Sequence, residues 1–138
     1  MKEKVTVLDA LEKLSSSITV EEITSKHQPP DIPFTTLDWI QVPEASHVGH
    51  SGNAHWRTIQ FPGIRLRMVE YSAGYLADHW CSKGHIVHCL EGEFTSELQT
   101  GERITLSAGI SYIVSDEMSM HRSLTEKGVK LMIIDGDF

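Results

Sequence analysis

The sequence predicts an all-β domain, an antiparallel sandwich or barrel, preceded by a short helical arm. Three observations carry this. After Pro30 the chain breaks into short β-prone runs separated by glycine, proline and polar turns. No long helical pattern interrupts them, which disfavours parallel β-α-β units. The texture changes abruptly at Pro29-Pro30, dividing the chain into an arm over residues 1–30 and a β domain over residues 31–138.

In the arm, VTVLDALEKL places Val7, Leu11 and Leu14 at helical spacing. Thr19 of TVEE is an N-cap with Glu22 three residues on, a capping-box pattern opening a second short helix. His27-Gln28-Pro29-Pro30 ends it, because proline has no N–H to continue the ladder. Such an arm is expected to pack on the barrel or on a partner subunit. The predicted strands follow as HWRTIQF (55–61), IRLRMVEY (64–71), HIVHCLEGE (85–93), FTSELQ (94–99), RITL (103–106), SYIVS (111–115), HRSLT (121–125) and KLMIID (130–135). Pro62-Gly63, Ala73-Gly74, Thr100-Gly101, Ala108-Gly109 and Lys127-Gly128 supply the turns.

Composition narrows the partners. A formal net charge of -7, with basic residues scattered singly, argues against nucleic acid, since phosphate neutralisation needs clustered lysine and arginine. No apolar stretch approaches the roughly 18–20 residues that span a bilayer, so no membrane association is expected. The start MKEKVTVLDALEKL carries acids and lacks a secretory apolar run, and a cytoplasmic location is the expectation. Two cysteines, Cys81 and Cys89, are too few for a disulfide framework.

Chemistry concentrates in DHWCSKGH, residues 78–85. If that stretch is extended, His79 and Cys81 share one face and Asp78 and Trp80 the other. Gly84 allows a tight bend, and His85 opens the next strand with Val87 and Cys89 on its own face and His88 opposite. His79, Cys81 and His85 thus supply two imidazoles and one thiolate, good ligands for a borderline transition metal. The bland alternative is hydrogen-bonded core histidines and a small buried thiol.

GYLADHWCSKGHIVHCLEGE, followed by LSAGISYIVSDEMSMHRS, resembles the two sequence motifs of the cupin superfamily. Gly74, His79-Trp80-Cys81, His85 and Gly92 match the first motif, with His85 seven residues before Gly92 as the pattern requires. Ala108-Gly109, the SYIVS run and His121 match the second. The likeness covers roughly residues 33–135 and is similar to the branch called DHCW-motif cupins, through Asp78, His79, Trp80 and Cys81. It implies a cupin-type double-stranded β-barrel (jelly roll), a homodimer, and a metal site of His79, Cys81, His85 and His121. Cysteine stands where the motif has its second histidine, and histidine where it has glutamate. That donor set points to zinc, nickel or iron rather than magnesium or calcium.

The function expected from this is a metal-dependent enzyme of oxygenase, isomerase or lyase type, acting on a small-molecule ligand in the barrel mouth. A non-catalytic metal or metabolite binder, with all four ligands closing the coordination sphere, is the alternative. A thiol-based redox protein using Cys81 is a third. On IRLRMVEY, Arg65, Arg67, Val69 and Tyr71 share one face. Either this face meets solvent, or Arg67 and Tyr71 point into the barrel as substrate-binding residues, a guanidinium suiting a carboxylate or phosphate. Tyr112 is placed near the pocket or packed at a strand end. Asp78 bonds locally or orients a ligand, and Trp80 packs behind the site. His47, His50 and His55 make a surface loop, a lid or a second metal site.

Overall fold

The computed structural model describes residues 31–136, so the arm expected over residues 1–30 lies outside the described residues. A 3-10 turn, Trp39–Gln41, leads into eight strands: β1 (Glu44–Val48), β2 (Asn53–Phe61), β3 (Ile64–Tyr71), β4 (His85–Leu98), β5 (Arg103–Ser107), β6 (Ser111–Val114), β7 (His121–Leu124) and β8 (Val129–Gly136). Every pairing is antiparallel, in the order β1-β2-β3-β8-β4-β5, with β6 and β7 also on β4. The all-β prediction holds.

β4 joins the two sheets. Its first part pairs with β8 and β6, its second with β5 and β7. The sequence suggests two strands here, 85–93 and 94–99, whereas the chain runs through as one strand of 14 residues. The apparent break is a register shift between Cys89 and Glu91, followed by Gly92 at φ 87°. A side chain at Gly92 would also meet the Gly128 carbonyl oxygen at 2.6 Å, which gives the motif glycine its physical reason. The strand turns a corner without reversing.

The register sorts the interior into rows. Val129, Leu131, Ile133 and Asp135 of β8 face inward, opposite Tyr71, Val69, Arg67 and Arg65 of β3. On the other side Leu131, Ile133 and Asp135 meet Cys89, Val87 and His85 of β4. The lower rows are apolar and close the barrel, with Phe94, Leu106, Leu131, Val87 and Cys89 under 2 % exposed. Burial of each larger side chain among these contributes about 1.5–3 kcal/mol. The row at the open end is charged. β3 therefore turns its arginine face inward, against the usual choice for such a strand, because Asp135 and His85 wait across the sheet. The opposite surface carries Ile59, Leu66, Ile134, Ile86 and Ile113 in one register line across β2, β3, β8, β4 and β6.

The histidine-rich stretch HVGHSGNAH is a hairpin rather than a free loop, pairing His47 with Ala54 and Val48 with Asn53. β1 escapes sequence reading because all five residues are exposed and carry no alternation.

Candidate metal centre

Three elements bring the site together. His85 opens β4 and His121 opens β7, both on inward positions and 4 % and 3 % exposed. Cys81 lies in the irregular segment before β4 and is stitched to His121 by two reciprocal backbone bonds. The Cys81 N–H donates to the His121 carbonyl at 2.7 Å, and the His121 N–H to the Cys81 carbonyl at 3.0 Å. Gly84 admits this packing by close approach: a side chain there would meet the Asp116 nitrogen at 2.5 Å. The ligating atoms of Cys81, His85 and His121 all lie within 4.8 Å of one another.

The hydrogen bonds behind the two imidazoles decide what stands between them. His85 Nδ1 donates to Asp135 Oδ1 at 3.2 Å, and His121 Nδ1 to the Ser119 carbonyl at 2.8 Å. Both partners only accept, so both hydrogens sit on Nδ1 and each neutral ring presents its Nε2 lone pair forward. Those two Nε2 atoms are 2.8 Å apart. Two bare lone pairs at that distance repel unless a cation lies with them, either a proton or a metal ion. Tyr112, with its hydroxyl 3.0 Å from His85 Nε2, can serve only one of them. A carboxylate and a backbone carbonyl holding the far nitrogens is the support that metal-bound histidines receive. With a sulfur as third donor, the residues present fit a transition metal that takes nitrogen and sulfur ligands.

Electrostatics agrees. Burial raises the Cys81 thiol, but the hydrogen bond with His121, the Lys83 backbone and the charges of His121 and Arg67 bring it below an ordinary thiol. Burial lowers His121, yet its bonds to Cys81 and Ser119 lift it above an ordinary imidazole. Burial, assisted by the neighbouring His121, holds His85 below the usual range against the pull of Asp135. Asp135 stays ionised despite burial, because His85, Arg67 and Arg65 all donate to it. Tyr112 is pushed far up, by burial first and then by Tyr71 and Cys81.

Of the four expected ligands, three converge. His79 stands at the rim of the same cavity with its side chain 75 % exposed and Nδ1 2.6 Å from Asp78 Oδ1, apart from the three-residue cluster. The shared-face argument needed an extended chain, but residues 78 and 79 form a bend, and the chain bridges to β7 only on either side of it, at Leu76 and Cys81. Trp80 carries the Arg122 guanidinium 4.3 Å above its ring. Arg67 and Tyr71 both point inward, buried, and line a cavity of about 150 Å³ together with Cys81, His85 and His121. Tyr112 lines it too. His88 faces away and bonds Ser111 Oγ at 2.7 Å. The hairpin histidines do not converge: His47 stacks 4.0 Å from Trp56, while His55 is on the other face near Glu44. Sequence reading missed Asp135, although its place after Val129, Leu131 and Ile133 in an alternating strand puts it on the same inward face.

No protein-family model matches the sequence, and no curated protein is significantly similar to it. Solved structures are. An RmlC-like cupin from Shewanella frigidimarina superposes with a TM-score of 0.63 at 17% identity, covering 77% of this chain and 93% of the other. A predicted oxalate decarboxylase from Thermotoga maritima gives 0.64 at 9% identity, over 75% of this chain and all (100%) of the other. The chain has the cupin fold. Ectoine synthase from P. lautus shares it as well, with a TM-score of 0.61 at 17% identity over 75% of this chain and 78% of that enzyme. At these identities the likeness concerns the barrel alone, and what this chain does rests on its own residues.

Proposed function

We propose that this cupin is a metal-dependent enzyme of oxygenase, isomerase or lyase type, acting on a small molecule in the barrel mouth. Cys81, His85 and His121 hold the ion, which is zinc, nickel or iron. The observation that carries the reading is the count: three protein ligands converge on a cavity, the arrangement that leaves a coordination position open. A divalent ion held there supplies Lewis-acid polarisation of a substrate oxygen. Tyr112, kept protonated by burial and 3.0 Å from His85 Nε2, donates a hydrogen bond beside that position. Arg67 and Tyr71 line the same cavity and orient the substrate, and Asp135 fixes Arg67 and His85 relative to each other.

Metal analysis of variants tests this. One transition ion per chain is expected, lost in His85→Ala and His121→Ala and retained in His79→Ala. Equal dependence on His79 would instead favour the closed four-ligand binder, with His79 leaving Asp78 to complete the sphere.

The same reading extends to assembly. Two copies pair through the outer sheet face that carries Ile59, Leu66, Ile134, Ile86 and Ile113, the last of them 69% exposed.

A further inference from the structure

The cavity that Cys81, His85 and His121 share also holds a charged cluster whose charges do not cancel. Asp135, 3% exposed, accepts from Arg65 Nε at 2.8 Å, from Arg67 Nε at 3.0 Å and Nη2 at 3.1 Å, and from His85 Nδ1 at 3.2 Å. Two guanidinium groups on one carboxylate leave one positive charge over. Arg67 is the buried member, at 7% exposure, and its fork lies 4.7 Å from the Trp56 ring. Its Nη1 donates to nothing among the described residues. Neither does the Trp56 indole Nε1, which is buried and belongs to the same cavity wall. Arg122 and Lys83 also reach the cavity, but they face Glu97 and Asp116. One positive charge left over and an idle buried indole N–H thus share one cavity wall, and a partner that answers both is an anion.

The ligand half repeats the imbalance: a divalent ion on one thiolate and two neutral imidazoles also keeps one positive charge. Val87, Ile133 and Ala77 also line the cavity, and they suit carbon rather than a bare inorganic anion. A volume of about 150 Å³ corresponds to about five waters at roughly 30 Å³ each. We infer that the substrate is a short-chain carboxylic acid whose carboxylate meets Arg67 Nη1 and the Trp56 N–H, with a second oxygen facing Cys81, His85 and His121. The position of the second oxygen rests on the proposed metal site; the carboxylate position does not.

Calorimetric titration with malonate, its neutral diamide malonamide and inorganic phosphate tests the inference, on metal-loaded and on metal-free protein. Malonate is expected to bind in both forms, more tightly with metal, and at least tenfold better than malonamide. Arg67→Gln weakens malonate by about 10–100-fold, as loss of a charge-assisted hydrogen bond does, while bound metal is retained. Because that change strips Asp135 of a partner, Trp56→Phe provides a milder variant. It keeps the ring, loses the N–H and weakens malonate by about 2–10-fold with an unchanged melting temperature. Metal retention with no preference of malonate over malonamide overturns the carboxylate assignment and leaves the metal site standing. Failure to bind metal, with the preference intact in metal-free protein, does the reverse. Phosphate binding more tightly than malonate, or malonate affinity unmoved in both variants, also overturns it.

Discussion

Asp135 ties the two chemistries of the cavity together, because one buried carboxylate receives both the His85 ring and the Arg67 fork. Asp135→Asn keeps the shape but weakens the acceptor and frees the amide to flip. Metal affinity is expected to fall about 10–100-fold, measured by competition with a chelator. Gly92 gives a stability prediction at the same scale. Gly92→Ala forces a side chain into positive φ and against the Gly128 carbonyl at 2.6 Å, at a cost of about 1–3 kcal/mol in denaturant unfolding. Individual residues were unevenly legible in the sequence. His85 and its inward neighbours Val87 and Cys89 followed from strand alternation, which the ladder of β4 enforces. His79 did not, because no ladder holds residues 78–80 extended and its side chain is free to turn outward to Asp78. Asp135 was readable by the same alternation that located His85.

At the level of the element, β4 carries the site on one half and an ion-pair network on the other. Glu97, 8 % exposed, accepts from Arg103 Nε at 2.9 Å and from Arg122 Nη2 at 2.6 Å, joining β5 and β7 across β4. The Arg122 bond is the largest influence on its carboxyl, which with Arg103 lies below the ordinary value of 4.5 despite the opposing effect of burial. A carboxyl lowered in the folded state stabilises fully above its unfolded pKa, and the contribution is lost as pH falls through the folded value. Melting temperature is therefore expected to drop on acidification below about pH 4.5, and that component of the drop to be absent in Glu97→Gln. An unaltered acid limb in the variant would contradict the assignment. The sequence marked both halves of β4 as strand but placed a boundary between Glu93 and Phe94; the pairing with β8 and β5 shows one strand that bends instead. β1 left no signal for the opposite reason, being held by its neighbour β2 rather than by any buried face of its own.

For the whole molecule, turn chemistry was enough to specify an antiparallel barrel, since Gly63, Gly74, Gly101, Gly109 and Gly128 all adopt the positive φ that such turns require. Which face of each strand is wet was less legible, because the inner surface is charged at the mouth and the outer surface is apolar along the Ile59–Ile113 line. If two copies pair as proposed, Ile86→Glu with Ile113→Glu is expected to convert the dimer to a monomer in sedimentation; an unchanged mass would remove that face as the interface. The central claim, that a sulfur and two imidazoles grip one ion with room left for substrate, is tested most directly by the absorption spectrum of the cobalt-loaded protein. The account predicts one cobalt per chain, a thiolate charge-transfer band that Cys81→Ser abolishes, and visible bands that shift when malonate is added. A chain that binds no cobalt stoichiometrically, or whose spectrum is the same with and without the Cys81 sulfur, would contradict it.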